Sequence, residues 1–384
     1  MMRLKHCYNI NDLRTIAQQK LPAPMFHYID GGADDELTLR RNTDAFTDYE
    51  LLPRTLIDVD SIDTRVNVLG QDLEWPVLIA PTGMSRLFHH QGELAVAKAA
   101  ETMGTMYSLS TVSTHNIEKI AATGDAPKMF QIYIHRDRGL TREFVSRCKQ
   151  SGYKALCLTV DVPVAGNRER DLVTGMTIPP RFSLASLLSF ALHPQWSLNA
   201  ILRRKIELAN VKERIEAASK PMGSIMEYIN SQFDRSVNWD DAAEVVKLWN
   251  GPFAIKGILT ADDAIRAAEI GATAVVVSNH GGRQLDGAPA SIDCLPSIVQ
   301  AVGDRVEVIL DGGIRRGSHI AKALALGAKA CLVGRPYLYG LAAAGQPGVE
   351  HALALLRGEL ERTMALIGCA DIESITNHFI QRRD

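Results

Sequence analysis

Residues 253–280 read FAIKGILTADDAIRAAEIGATAVVVSNH. The stretch opens with a short apolar run, FAIKG (253–257), and closes with another, AVVVSNH (274–280). Between them TADDAIRAAEIG has the spacing of a helix. Thr260 stands at its N-cap, Asp263 at the capping-box position and Gly271 at its stop. Both runs are apolar at successive positions, as in strands covered by helices on both sides of a parallel sheet. The unit is strand, helix, strand.

The same unit extends in both directions. Apolar runs recur as VLIAP (core 78–81), TMYSLS (105–110), MFQIYI (129–134), ALCLTVD (155–161), VEVILDGG (306–313) and ACLVGR (330–335), which makes eight with the two above. The intervening helices have readable ends. RGSHIAKALALG repeats the scheme with Ser318 and Gly327, GELAVAKAAETMG stops at Gly104, and TREFVSRCKQSG runs from Thr141 to Gly152. Eight such units with right-handed crossovers predict an α/β chain folded as a (β/α)8 TIM barrel. An open doubly wound sheet would more often carry G-x-G-x-x-G after its first strand, and the chain has no such string. Two segments lie outside the repeat. Residues 1–75 read as an N-terminal helical extension with a Gly-Gly turn at 31–32, and 176–238 as a long insertion between strands four and five. Both read as decorations of a single domain spanning 1–384.

Composition removes several alternatives. The chain has 384 residues, 46% of them hydrophobic and 22% charged, with 42 Lys and Arg against 44 Asp and Glu. That is globular and not disordered, and a net charge of -2 supplies no basic field for nucleic acid. The six cysteines are scattered with no C-x-x-C pair, so neither a zinc ribbon nor a dithiol centre is expected. The N-terminus has no apolar signal core, and no apolar window is long enough to span a bilayer. No H-E-x-x-H or carboxylate–His spacing predicts a metal.

Chemistry collects at the strand ends, where a barrel of this kind places its active site. Gln131 and Tyr133 end the third strand, and Thr159 and Asp161 the fourth, with Arg168 beyond. Lys256 ends the fifth, and Ser278, Asn279 and His280 the sixth. Polar endings on six consecutive strands are not a packing requirement, because buried charges need partners. In SNHGGRQLD (278–286) a base and an anion clamp, His280 and Arg283, share one glycine loop; Asp161 is available to orient the imidazole. Lys256 reads either as a Schiff-base lysine of lowered pKa or as a fixed cation opposite a cofactor's negative charge. DGGIRRGS (311–318) and Gly334–Arg335 occupy the usual phosphate pocket of the fold, with Arg315 or Arg335 adding charge.

These strings carry a resemblance. FHYIDGGADDELTLRRN (26–42), APTG (80–83), FQIYI, LTVDVP, IKG, SNHGGRQLDG, DGGIRRG and GRPYLYG, in this order over nearly the whole chain, resemble the FMN-dependent L-2-hydroxy-acid dehydrogenases and oxidases. FHYIDGGA, LSTVS and HPQW resemble the membrane-associated lactate and mandelate branches in particular. The resemblance implies FMN as cofactor and a 2-hydroxy acid as substrate. It implies His280 as catalytic base with Asp161 its partner, and Arg283, Arg168 and Tyr28 on the substrate carboxylate. Tyr133 would bond the substrate oxygen. Lys256 would sit at the flavin N1/O2 edge, with Ser110, Gln131, Thr159, Ser278 and the backbone of Ala80, Pro81 and Thr82 along the ring. Asp311, Gly312, Gly313, Arg315, Gly334 and Arg335 would hold the phosphate. Gly83 and Val112 would line the pocket for the C2 substituent; both are small, which admits lactate and does not exclude mandelate.

The expected reaction is L-lactate to pyruvate, with electrons passed to quinone or a cytochrome. The alternatives are another L-2-hydroxy acid, an O2-using oxidase, or, in another class, a Schiff-base lyase using Lys256. RFSLASLLSFALHPQW (181–196), followed by Arg203, Arg204 and Lys205, suits shallow insertion into an anionic membrane surface. The expected location is the cytoplasmic side, peripheral on the inner membrane. A homo-oligomer, a homotetramer in the family, is implied by resemblance alone.

Overall fold

A computed structural model describes residues 4–176, 181–202, 207–211 and 233–383. Eight parallel strands close into a barrel: β4 (Val77–Ile79), β5 (Tyr107–Ser110), β6 (Lys128–Ile132), β7 (Ala155–Thr159), β8 (Phe253–Ile258), β9 (Ala274–Val277), β10 (Glu307–Asp311) and β11 (Ala330–Val333). Each pairs with its neighbours in chain order, and β11 closes on β4. The eight apolar runs are these eight strands, and the fold is the predicted (β/α)8 barrel.

Period-2 alternation sorts the side chains. Leu78, Met106, Met129, Cys157, Ala254, Val276, Ile309 and Leu332 point inward and pack as one buried cluster. The alternate residues, such as Ile79, Phe130, Leu156, Ile255, Val277 and Leu310, point outward under the helices. The helices end as their sequences dictate in most cases. The helix Ala261–Glu269 is capped by the Thr260 side chain on the Asp263 N–H, though the Asp263 carboxylate takes the Thr260 hydroxyl at 2.9 Å instead of closing a backbone box. Thr141 is not the start of its helix, which begins at Arg138 behind an Asp137 cap. Nor does Ser318 cap the helix Gly317–Ala325. The Gly317 N–H is satisfied at 2.8 Å by Glu359, a residue of the long helix Gln346–Ile367.

The N-terminal extension has α1 (Ile10–Lys20), α2 (Ala23–Asp30) and α3 (Leu37–Asp44), as expected, but also strands. β1 (Tyr49–Leu51) pairs antiparallel with β12 (Ile380–Arg382), tying the two ends of the described chain together. β2 (Val66–Val68) and β3 (Gln71–Leu73) form a hairpin whose Val66, Val68, Leu69 and Leu73 join the barrel's interior cluster. It plugs the barrel mouth opposite the functional one: the Leu69 N–H donates to Glu307, at the start of β10.

The helix Glu169–Thr174 precedes the insertion, in which α4 (Leu184–Leu192) and α5 (Pro194–Leu202) form a helical pair. It is anchored inward. Trp196 Nε1 donates to the Leu87 carbonyl at 2.8 Å, Ser189 accepts from the Ala23 N–H, and Phe190 packs on Phe182 and Trp196. Leu184, Leu187, Leu188 and Leu192 remain 52–85% exposed. Arg203, Arg204 and Lys205 lie outside the described residues. No helix among the described residues is long and apolar enough to cross a membrane.

Candidate active site

The same alternation continues to further inward positions at the strand ends, two residues beyond Ala80, Met129, Cys157, Ala254, Val276, Ile309 and Leu332 and four beyond Met106, past Ser108. Those positions hold Thr82, Ser110, Gln131, Thr159, Lys256, Ser278, Asp311 and Gly334. A polar ring therefore lies over an apolar barrel core. Ser110 is in register with Gln131, and Thr159 with Lys256. The Ser110 hydroxyl donates to Gln131 Oε1 at 3.1 Å, which leaves Gln131 Nε2 buried with no partner; Thr159 Oγ1 is likewise buried and unpartnered. Donors of this kind are costly unless a ligand meets them. Their arrangement fits the oxygen- and nitrogen-edged rim of a flavin ring.

Lys256 faces the same space. Its ammonium donates to Ser278 Oγ at 2.9 Å and pairs with Asp311 at 3.0 Å, and Ser278 itself donates to Asp311 at 2.7 Å. Burial alone would lower the lysine pKa, but Asp311 and Asp161 outweigh it and hold the pKa above the ordinary lysine value. Lys256 is therefore a fixed cation. A Schiff-base lysine needs the opposite shift, so the lyase reading loses its chemical basis.

His280 sits on the loop after β9 with φ +57, a left-handed conformation that is uncommon outside glycine, though His is among the residues that tolerate it best. The turn continues through Gly281 and Gly282, also at positive φ. This aims the imidazole back across the barrel mouth, where Nδ1 meets Asp161 Oδ1 at 2.8 Å. Burial raises the Asp161 pKa, but His280 and Lys256 more than offset it, so the carboxyl lies below its ordinary range and is ionised. The Ser278 hydroxyl also accepts the His280 backbone N–H at 3.0 Å. Gly257 makes room for the pair: at φ +110, a Cβ there would stand 2.7 Å from Asp161 Cβ. The role of Gly257 was not legible beforehand; the only signal was its place in IKG.

Arg283, Arg168 and Tyr28 converge beside this pair. Arg283 lies over the Tyr28 ring at 5.1 Å and Arg168 at 5.5 Å. Arg283 Nη1 is held by the Tyr28 carbonyl at 2.6 Å and that of Gly31 at 3.1 Å; Arg168 Nε pairs with Asp171 at 3.1 Å. Burial and the charge of Arg168 push the Arg283 pKa down to about 10, the mark of cations in need of an anion. Tyr133 lies near both groups. Burial and Asp161 push its phenol well above the usual value, so it is a neutral hydrogen-bond donor. Gly83 is pressed against Val112: a Cβ on Gly83 would fall 2.6 Å from Val112 Cγ2.

The Gly312–Gly313 and Gly334–Arg335 segments follow the neighbouring strands β10 and β11. Arg315 and Arg335, but not Asp311, Gly312, Gly313 or Gly334, line a cavity of about 290 Å³ with Arg14, Asp30, Glu36 and Arg170. Arg335 also has a structural task, because its guanidinium donates to the carbonyls of Ile29, Gly281 and Gly31 at 2.8–2.9 Å. It thereby ties α2 to the His280 loop.

Known proteins agree with this geometry. The model of the FMN-dependent dehydrogenases matches residues 17–382. An L-lactate oxidase of a Nostoc species is 46% identical over 97% of both chains. An L-lactate dehydrogenase of Alcaligenes faecalis is 40% identical over 97% of this chain and 98% of that one. The crystal structure of a monotopic membrane (S)-mandelate dehydrogenase superposes with a TM-score of 0.94 at 39% identity, covering 98% and 100% of the two chains. A cation-backed polar ring over a closed barrel, carried by a sequence matched end to end, leaves one conclusion: the chain belongs to the FMN-dependent dehydrogenases and uses FMN to oxidise 2-hydroxy acids.

Proposed function

We propose that the substrate is L-lactate, oxidised to pyruvate, and that its electrons pass to a quinone or cytochrome at a membrane surface. The observation that carries the chemistry is the His280–Asp161 pair set beside Arg168, Tyr28 and Arg283. A guanidinium pair fixes a carboxylate in one orientation. With the substrate so held, His280 Nε2 is the atom free to take a proton, since Nδ1 is engaged by Asp161. The carboxylate of Asp161 stabilises the imidazolium that results. Tyr133, a neutral phenol, donates to the substrate oxygen. Gln131, Thr159, Ser110, Ser278 and Lys256 hold the flavin ring with the backbone of Ala80, Pro81 and Thr82. Gly312, Gly313, Arg315, Gly334 and Arg335 surround its phosphate, whereas Asp311, expected there from the sequence, has its carboxylate engaged by Lys256 and Ser278. When bound, the flavin supplies the two-electron acceptor that no side chain provides. Gly83 and Val112 face the methyl group.

The visible spectrum tests this reading. A yellow protein that bleaches anaerobically on L-lactate supports it. Bleaching by mandelate and not by lactate would replace the substrate, and no bleaching by any 2-hydroxy acid would refute the site.

Exposed Leu184, Leu187, Leu188 and Leu192 on α4 favour the membrane acceptor, because such a stripe suits the acyl boundary of a bilayer. Flotation with anionic liposomes should carry the intact protein and leave a Leu184→Ser/Leu188→Ser variant behind; equal partitioning would refute the attachment. The Nostoc relative, named an oxidase, favours a second reading in which O2 is the acceptor. Stoichiometric hydrogen peroxide during turnover would establish that reading over the first. Light scattering on the same preparation checks the homo-oligomer.

A further inference from the structure

The His280 loop is not shaped by its own bonds alone. It is clamped from outside the barrel by α3, a helix of the N-terminal extension, through three contacts. The Asp286 carboxylate caps α3 by accepting the Thr38 N–H at 2.7 Å and the Leu37 N–H at 3.1 Å. Gly282 lies against α3 so closely that a Cβ there would stand 2.5 Å from the Leu39 nitrogen. The third contact is a reciprocal amide clasp. Asn42 Nδ2 donates to Asn279 Oδ1 at 2.8 Å, and Asn279 Nδ2 donates to Asn42 Oδ1 at 2.8 Å.

Asn279 immediately precedes His280, and the clasp uses up its side chain. Its Oδ1 also accepts the Gly282 N–H at 3.1 Å, and its Nδ2 also donates to the Pro289 carbonyl at 2.9 Å. The amide of Asn279 thus spans the left-handed turn at both ends, and Asn42 fixes which way that amide faces. Both residues are buried, at 3% and 5% exposure, so no water can substitute.

Asn42 reaches the other half of the site as well. Its backbone carbonyl occupies the space a side chain on Gly313 would take, 1.8 Å from an ideal Cβ. Its Oδ1 lies 3.6 Å from the ideal Cβ of Gly312 and accepts the Ser291 N–H at 3.3 Å. One residue therefore touches the turn that presents the base and the glycine pair assigned to the phosphate.

We propose that Asn42 is a positioning residue that couples the phosphate segment to the His280 turn, so that seating of the cofactor and presentation of the base are set together. The proposal rests on His280 as the base and on 311–315 as the phosphate segment. In it, the extension is a working part of the site: strand ends supply the groups, and α3 sets the two loops relative to each other.

The test uses Asn42→Ala and Asn42→Asp in the full chain. Aspartate keeps the acceptor but puts oxygen against Asn279 Oδ1, so it breaks the clasp with little change in volume. Two quantities are read: the FMN dissociation constant of the apoprotein, by flavin fluorescence, and the anaerobic rate of flavin reduction at saturating FMN and L-lactate. Both variants should bind FMN ~10-fold more weakly and reduce it ~10- to 100-fold more slowly, since a displacement of about 1 Å at a reacting group costs that much. KM should stay within about threefold, because Arg283 is also held by the Tyr28 and Gly31 carbonyls and Arg168 by Asp171, bonds the variants leave in place. A lower melting temperature with both quantities unchanged would reduce Asn42 to packing and overturn the proposal. Slower reduction with unchanged FMN affinity, or the reverse, would overturn the coupling. Should the Asn42 variants not fold, Asn279→Asp breaks the clasp from its other side, by setting an oxygen against Asn42 Oδ1. It must then both weaken FMN binding and slow reduction at saturating FMN, and an unchanged value of either would overturn the proposal. His280→Gln is the control for the underlying reading: full FMN affinity with lost reduction supports it, and retained reduction breaks it independently of Asn42.

Discussion

Replacing Asp161 with Asn removes a charge and little else. Asn presents a carbonyl oxygen where Asp161 Oδ1 now lies 2.8 Å from His280 Nδ1, so the hydrogen bond can persist. The loss is the attraction between a carboxylate and the imidazolium that forms when His280 takes the substrate proton. Charges about 4 Å apart in surroundings of effective dielectric constant ~20 attract by about 4 kcal/mol. At ~1.4 kcal/mol per factor of ten, flavin reduction should slow by about 10³. A further small cost follows, since Asp161 Oδ2 is buried without a partner and the new NH2 group would inherit that position.

The assay is stopped-flow reduction of the flavin by L-lactate under anaerobic conditions. FMN content and KM should be close to wild type, because Asp161 does not hold the arginine pair. Stability gives an independent reading. The Asp161 carboxyl is held below its ordinary range, so its stabilising contribution is complete above the unfolded carboxylate pKa and is lost as pH falls through the lower folded value. The variant should lack that acid-side decline. A reduction rate within tenfold of wild type would refute the argument that Asp161 acts by charge.

Other perturbations test the remaining parts. Arg283→Lys should raise KM for L-lactate ~10- to 100-fold with FMN retained, because an ammonium cannot both satisfy the Tyr28 and Gly31 carbonyls and present a planar fork; an unchanged KM would exclude Arg283 as a carboxylate ligand. Glu93→Gln should cost about 1–3 kcal/mol in urea unfolding, since the buried Glu93 carboxylate accepts from Ser85, Thr114 and His115, holding the loops bearing Gly83 and Val112, and an amide nitrogen cannot accept in its place. Burial raises the Glu93 pKa but those bonds keep it low, so its contribution should be present above the carboxylate range and fade in acid; coincident unfolding curves would contradict this. Lys256→Met should leave Asp311 buried without its cation and weaken FMN binding at least tenfold, which a fluorescence titration would show.

What the sequence disclosed and what it withheld follow one physical line. Barrel strands were legible because burial on both faces makes them uniformly apolar, and their polar ends were legible because alternation must change character where the core stops. The same regularity marked the strand-end residues Gln131, Thr159, Lys256, Ser278 and His280, whereas Tyr28, Gly83, Ser110 and Val112 were implied by the resemblance alone. Features set by distant partners left no local trace. The hairpin Val66–Leu73 shows only three apolar positions on two short strands, and its apolarity makes sense only once an open barrel end needs a plug. Ser318 has the right type for a helix cap, yet the donor it would serve is met by Glu359 from another helix. Arg335 reads as a phosphate ligand from its string, while three carbonyls around it give it a second task that no string contains.

Asn42 is the sharpest case of this division. It lies in RRN, far from every strand end, and nothing in its spacing marks it. Its importance comes from touching two loops of the repeat at once, the His280 turn through Asn279 and the Gly312–Gly313 pair through its own carbonyl. A barrel of repeated units delivers chemical groups to one rim and joins some of its loops directly, as Arg335 does to Gly281. Where two loops share no direct bond, a segment outside the repeat can bridge them, and such segments are read last because they have no period.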